Sequence, residues 1–321
     1  KSSRNAWTIR FVPGFDAIID QERPIRVLTS LLTSRNIPHG LLFTGIEGVG
    51  KRTAATAFAM ACNCTGQGAE ERGEACGECT ACRKIAADRH PDVLRVSPSG
   101  LQIKIDQIRD LCQALAMKPY EARTRVAIVA DAHRMNPAAG NALLKMLEEP
   151  PDRTVLILTA PQTADVLPTV VSRCQHIRFK PVARRHLAAM LSAAYGFSPE
   201  DARLTAALAD GSVTRALAMQ RRGWIQRRNW LLSEMAELGR RSTASLLALA
   251  EKSSQAKEDI PEVLDLLATW IRDVAVARYC PDRIVHQDLR DSIADAARRS
   301  EPEGLDRAGR AIEEARRRIR S

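Results

Sequence analysis

The stretch from Leu41 to Thr53 constrains this chain more than any other, because a short apolar run passes directly into glycines, a lysine and a helix-forming segment. Gly45 through Gly50-Lys51 has the G-x-x-x-x-G-K spacing of a phosphate-binding loop. Its glycines let backbone N–H groups converge on phosphate oxygens while the lysine reaches the terminal phosphates. A helix running from Lys51 towards Ala61 points the positive end of its dipole at the same anion. The next position, which ordinarily offers a Ser or Thr hydroxyl to Mg²⁺, is Arg52, and Thr53 stands one residue too late. The spacing therefore predicts nucleotide binding at Gly45, Gly48, Gly50, Lys51, Arg52 and Thr53. It argues against hydrolysis much more than against binding.

The flanking sequence predicts a helix within Phe15–Ser34 carrying Pro24 in its first turn, a short strand within His90–Val96, and a helix within Ile103–Met117. Arg125 to Asp131 is a continuous apolar run ending in an acid, which is the shape of a buried parallel strand. In nucleotide hydrolases such a strand delivers an Asp to the metal and a neighbouring Glu to the water. Here the pair is Asp131-Ala132, so the metal-side acid is kept and the glutamate is missing. A helix from Asn136-Pro137 to Glu149 and a strand over Thr154–Thr159 follow. Strands alternating with helices over residues 1–180 predict a parallel α/β sheet. Beyond Pro181 no strand is expected. The Ala/Leu/Arg-rich pattern breaks at Gly196, Gly211, Gly223 and Pro261, predicting a three-helix domain over 181–222 and a helical domain over 223–321. Basic residues at the end of the chain (Arg316, Arg317, Arg318, Arg320) read as complements to a helix dipole on a solvated face.

Five of the eight cysteines lie between Cys62 and Cys82. Cys76, Cys79 and Cys82 follow a C-x₂-C-x₂-C pattern, and a fourth thiol upstream would close a tetrahedral zinc site. Cys62 belongs to the apolar face of the preceding helix whereas Cys64 begins the loop, so the expected ligands are Cys64, Cys76, Cys79 and Cys82 in an insert over about residues 62–84. An iron–sulfur cluster shares part of this spacing, but the Cys-Pro that ends the ferredoxin pattern is absent. Cys112, Cys174 and Cys280 read as isolated, buried or half-buried thiols. No run of eighteen apolar residues and no signal-peptide core occur, predicting a cytoplasmic chain with no membrane contact. A formal charge of +10 favours an anionic partner.

Four segments together resemble the bacterial clamp-loader ATPases of the AAA+ class, and the resemblance covers nearly the whole chain. They are Ile37-Pro38-His39-Gly40 leading into the phosphate loop, the four-cysteine insert, Asn141 to Pro150 (NALLKMLEEP), and Leu167 to Gln175 (LPTVVSRCQ). The resemblance implies an α/β P-loop domain with a zinc hairpin, a small helical lid, and an all-α C-terminal collar used for oligomerisation. It implies zinc as cofactor and bound ATP or ADP without turnover. Its implied partners are the motor (gamma/tau) subunits, the delta subunit, the sliding clamp, and primer–template DNA held through phosphates and shape without sequence specificity. It places the chain in the replisome at the nucleoid, within a DNA-directed DNA polymerase holoenzyme. In that family the Ser-Arg-Cys motif carries an arginine finger to a neighbour's nucleotide, which makes Arg173 the finger here. Relative to the motor subunits, Arg52 and Ala132 replace catalytic groups, and in Gly211-Ser212-Val213-Thr214-Arg215 the sensor arginine falls one place late. The resemblance thus implies a non-motor subunit whose isolated chain lacks ATPase activity. The alternatives are an active motor subunit of the same loader and an unrelated zinc-containing nucleotide-binding regulator.

Overall fold

A computed structural model describes residues 14–221, 224–236, 251 and 260–320; the segment up to Trp7, the break at Gly223 and the 222/223 boundary lie outside the described residues. Five parallel strands form one sheet: β1 (Gly40–Thr44), β2 (Val93–Val96), β3 (Arg125–Val129), β4 (Thr154–Ala160) and β5 (Gln175–Arg178), in the order β2-β3-β4-β1-β5. That order puts the phosphate-loop strand between β4 and β5, with Leu42 opposite both Leu158 and His176. β1, β3 and β4 are buried at every position because helices cover both faces of the sheet, which is why they read as unbroken apolar runs. Alternation still sorts their side chains: Leu41, Phe43 and Ile157 pack on one side of the sheet, Leu42, Leu156 and Leu158 on the other.

The helices of this unit begin where local chemistry lets them. In α1 (Glu22–Thr33) Pro24 lies in the first turn, where an absent N–H forfeits no helical bond. The next helix, α2 (Lys51–Asn63), starts after Gly50, whose φ of 97° is left-handed. Short α3 (Ala69–Arg72) and α4 (Thr80–Ala86) belong to the cysteine insert, and α5 (Ile105–Ala116) follows β2. Asn136 caps α6 (Pro137–Glu148) by accepting from Ala139 N–H at 2.8 Å, with Pro137 at the first helical position. α7 (Pro168–Val171) is a single turn leading to β5.

One strand was not expected. β5 buries only Ile177 of its four residues, so it carries no apolar run or alternation that could mark it in the sequence. Its pairing with β1 supplies the order instead, continued by Phe179 N–H donating to Thr44 O at 2.7 Å.

A buried carboxylate ties the loop before β3 to the sheet. Asp92, 1% exposed, accepts from the N–H groups of Tyr120, Glu121 and Ala122 at 2.8–3.0 Å and from Arg125 Nε at 3.3 Å. Burial pushes the Asp92 carboxyl up, but these backbone donors and the Arg125 charge outweigh it and hold it below its ordinary value. Asp92→Ala, which leaves Arg125 buried without its carboxylate, is expected to lower unfolding free energy at neutral pH by on the order of 3–5 kcal/mol. Because the folded-state value is depressed, the Asp92 contribution is present above about pH 4 and is lost as pH falls through the folded value. The gap between wild type and variant in urea titrations should therefore close in acid; a gap that is constant with pH would exclude an ionised Asp92 as its source.

By its internal packing the chain divides into two compact units. Of the described residues, those up to His186 together with Gly211–Thr214 form one, and Leu187–Asp210 with those from Arg215 onward form the other. The helices after the sheet are α8 (Arg184–Tyr195), α9 (Pro199–Leu208), α10 (Val213–Arg221), α11 (Trp224–Ala236), α12 (Ile260–Ala277), α13 (Arg290–Arg299) and α14 (Pro302–Arg320). The second unit is centred on Leu231, Leu232, Leu266, Trp270 and Ile293. Fully buried Arg228 pairs with Asp288 through both guanidinium nitrogens, at 2.5 and 2.8 Å. Asp273 Oδ2 accepts from Val285 N–H, His286 N–H and His286 Nδ1, all at 2.8 Å. Two expectations need correction. Arg316 is not on a solvated face: it is mostly buried and reaches Asp265 of α12 at 2.5 Å. Cys280 is exposed, because it follows the C-terminus of α12 at the surface. No described helix is long and apolar enough to cross a membrane.

Candidate functional site

The crevice at the carboxyl ends of β1, β3 and β4 gathers the residues of the phosphate loop, as parallel sheets with a neighbouring-strand crossover do. Gly45 and Gly48 have positive φ, 144° and 81°. A Cβ on Gly48 would lie 2.4 Å from Ser212 Oγ and 2.8 Å from Thr214 N, so glycine is required where the Gly211–Thr214 segment crosses the loop. Val213 N–H donates to Gly48 O at 3.0 Å and closes that crossing. This packing is why Gly211–Thr214, which includes the first two residues of α10, belongs with the α/β unit.

Lys51 is 8% exposed, and its ammonium donates to Gly45 O at 2.5 Å and Ile46 O at 2.8 Å, folded over the loop it serves. Burial lowers its pKa to about 8, with Asp131 and Glu47 opposing the shift. Arg52, the next residue, forms an ion pair with Asp131. Asp131 stands just beyond β3 in a left-handed conformation (φ 57°), and its N–H donates to Thr159 Oγ1 at 3.0 Å. Thr159, fully buried near the end of β4, is a positioning residue that sequence reasoning missed; its only signal is a hydroxyl, one of two in the strand with Thr154, next to the strand's carboxyl end. Thr53 lies one residue further along α2, about 100° around the helix axis from Arg52, so its hydroxyl does not substitute for the missing one.

These residues do not fit Mg²⁺. The hydroxyl position is a guanidinium, the carboxylate that would face the ion is paired with it, and Ala132 follows where a water-polarising glutamate would stand. Arg215, one place late for a sensor, is engaged with Asp265 at 3.0 Å and lies near Asp210.

The cysteine insert behaves differently. The sulfurs of Cys64, Cys76, Cys79 and Cys82 all lie within 4.8 Å of one another. Four thiolates on one zinc at about 2.3 Å would sit about 3.8 Å apart, and Cys79 and Cys64 are 4.0 Å apart. Backbone N–H groups point at the sulfurs: Gly66 and Cys76 donate to Cys64, Cys79 to Cys76, and Cys82 to Cys79, at 3.2–3.5 Å. Such donors favour thiolate over thiol. Gly77, at φ 76°, makes the turn that aims Cys76 and Cys79 inward. The group fits a metal. Cys62 is outside it, packed against the core, and burial pushes its thiol up to about 12.

Arg173 follows α7. Its guanidinium is 2.7 Å from Glu148 and donates to Thr169 O at 3.0 Å, and the side chain keeps 37% of its exposure. Glu148, from the end of α6, was not foreseen as its partner, although it lies within the Asn141–Pro150 motif.

The chain matches the family model for the delta subunit of DNA polymerase III over residues 20–183, and the model for the C-terminal part of that delta subunit over 222–321. DNA polymerase III subunit delta′ of Bacillus subtilis is 30% identical over 306 residues, spanning 94% of this chain and 91% of that protein. Subunit delta′ of Haemophilus influenzae is 31% identical over 222 residues, 68% of this chain and 67% of that one. DNA polymerase III subunit tau of Bacillus subtilis is 31% identical over 210 residues, but these span only 37% of its length. The delta′ relative is matched through both the sheet unit and the helical unit, whereas the tau match covers 64% of this chain. With its P-loop sheet in the β2-β3-β4-β1-β5 order and its helical C-terminal unit, the chain belongs to the delta′ family of DNA polymerase III subunits.

Proposed function

We propose that this chain is a non-motor subunit of the clamp loader, helping to place the sliding clamp on primed DNA and lending Arg173 to the nucleotide of a neighbouring ATPase subunit. The observation that supports this reading is the Arg52–Asp131 ion pair, which engages the two side chains a catalytic metal would need, next to Ala132 where a water-polarising glutamate would be expected. Its partners in this reading are the gamma/tau motor subunits, the delta subunit, the clamp, and primer–template DNA bound without regard to sequence, in the cytoplasm at the nucleoid. We assign zinc to Cys64, Cys76, Cys79 and Cys82, the lid to residues 181–222, and the collar to 223–321. Gly45, Gly48, Gly50, Lys51 and the start of α2 retain the shape of a phosphate cradle, consistent with ATP or ADP held without turnover.

The similarity to tau keeps one rival reading in play, an active motor subunit. Turnover separates the two, since hydrolysis needs an aligned metal and water in addition to a phosphate cradle. The purified chain is expected to hydrolyse ATP at no more than background, with or without primed DNA. DNA-stimulated turnover that Lys51→Ala abolishes would establish the motor reading instead.

A further inference from the structure

A P-loop normally takes its nucleotide as the magnesium complex. The ion is held by a hydroxyl at the position after the lysine, bridges phosphate oxygens, and faces the acid at the end of the adjacent strand. Here both protein-side contacts are replaced by a single bond between Arg52 on the first turn of α2 and Asp131 after β3. The guanidinium is tied to the Asp131 carboxylate one residue along α2 from Lys51, close enough for the two cations to act on one another. A dication arriving there would meet two cations and a carboxylate already neutralised, so its entry is opposed by like charge. A guanidinium can meet phosphate oxygens through its own planar donors.

We propose that the phosphate loop of this chain binds nucleoside di- or triphosphate in metal-free form, with Arg52 in the place of the ion. This rests on the phosphate-loop reading above and reverses the usual sign of magnesium dependence. In solution Mg²⁺ complexes the phosphates and lowers the concentration of the free polyanion. Added Mg²⁺ therefore weakens binding to this loop, where an ordinary P-loop binds more tightly. The positions involved are local: Arg52 is 40% exposed and Asp131 30% exposed in their side chains, so either can be changed without opening the core.

The test is a titration of the full chain with a fluorescent methylanthraniloyl-ADP, in EDTA and again in millimolar MgCl₂. The wild type is expected to bind in EDTA and to bind several-fold more weakly with Mg²⁺. Arg52→Thr restores the hydroxyl and frees Asp131, and should invert the response so that Mg²⁺ tightens binding. Asp131→Asn releases the guanidinium towards the phosphates and should tighten binding in EDTA. Lys51→Ala should abolish binding in both media. Absence of wild-type binding in either medium, or tighter wild-type binding with Mg²⁺, would overturn the proposal. Neither outcome touches the non-motor reading, which fails only on ATP turnover, so the two failures are distinguishable.

Discussion

A clamp loader assembled with Arg173→Ala in this chain is expected to lose hydrolysis at one motor site, while folding, zinc content and ring assembly are retained. An arginine finger stabilises charge developing on the transferred phosphoryl group and contributes on the order of 10³–10⁵ in rate at the site it serves. At about 1.4 kcal/mol per decade that is about 4–7 kcal/mol of transition-state stabilisation. Within the chain, Arg173 rests on Glu148 at 2.7 Å, with side chains 37% and 50% exposed. An ion pair that open to water contributes about 0–1 kcal/mol, so leaving Glu148 for a phosphate is a small cost against the gain. The same comparison yields a control. Glu148→Gln should leave loading and ATPase rates nearly unchanged, since only the resting contact is removed.

Total ATPase activity of the Arg173→Ala loader should fall only in part, because in the proposed reading one motor site alone depends on Arg173, while clamp loading suffers more. Arg173→Lys should rescue little, because an ammonium lacks the planar fork that holds two phosphate oxygens. If Arg173 instead served only to satisfy Thr169 O at the end of α7, the alanine variant would lower thermal stability and leave every rate at its wild-type value. Steady-state ATPase and clamp-loading assays on the assembled complex, with melting curves of the isolated chain, decide between these outcomes.

Removal of the metal from the cysteine insert is the second large effect expected. Structural zinc contributes apparent free energies of about 10–16 kcal/mol in small zinc-folded peptides. Cys64 and Cys82 belong to the buried cluster on one side of the sheet, but β1, β3 and β4 are joined to one another by their own ladder bonds, so the loss should centre on the insert. Metal analysis of the purified chain should find one zinc. Cys64→Ser should lose it and Cys62→Ser should keep it. Chelation should then raise amide hydrogen exchange across Cys64–Cys82 and leave β1, β3 and β4 protected. Zinc retention should also decline in acid, because each ligand must be a thiolate. Zinc-free protein from zinc-supplemented expression, or loss of zinc in Cys62→Ser and not in Cys64→Ser, would remove the assignment.

The sequence by itself determined whatever depends on neighbours within about one turn or one strand. The glycine spacing around Lys51 is a demand on backbone dihedrals, and the structure has Gly45, Gly48 and Gly50 at positive φ. The buried strands β1, β3 and β4 are legible as apolar runs because both faces of the sheet are covered. That Cys64 and not Cys62 clusters with Cys76, Cys79 and Cys82 follows from where α2 ends: residue 62 is still on the helix and residue 64 is just past its last turn. Tertiary structure alone decided the partnerships between distant charges and hydroxyls. Arg52 and Asp131 are 79 residues apart, and their meeting follows from α2 and β3 ending over the same crevice. Gly211 reads only as a break in the helical pattern, and the packing of Ser212 and Thr214 over Gly48 is not visible in it. Arg316 and Asp265 are drawn together by the packing of α12 against α14, which turned an expected solvated arginine inward. β5 was hidden for the same reason: three of its four side chains face water, so only hydrogen bonding to β1 makes it a strand. Local patterns record which face of an element is apolar, but a charge or hydroxyl in the sequence does not record what it will meet across the sheet. That choice belongs to strand order and helix packing, and in this chain it put an arginine on the carboxylate where a metal would otherwise be expected.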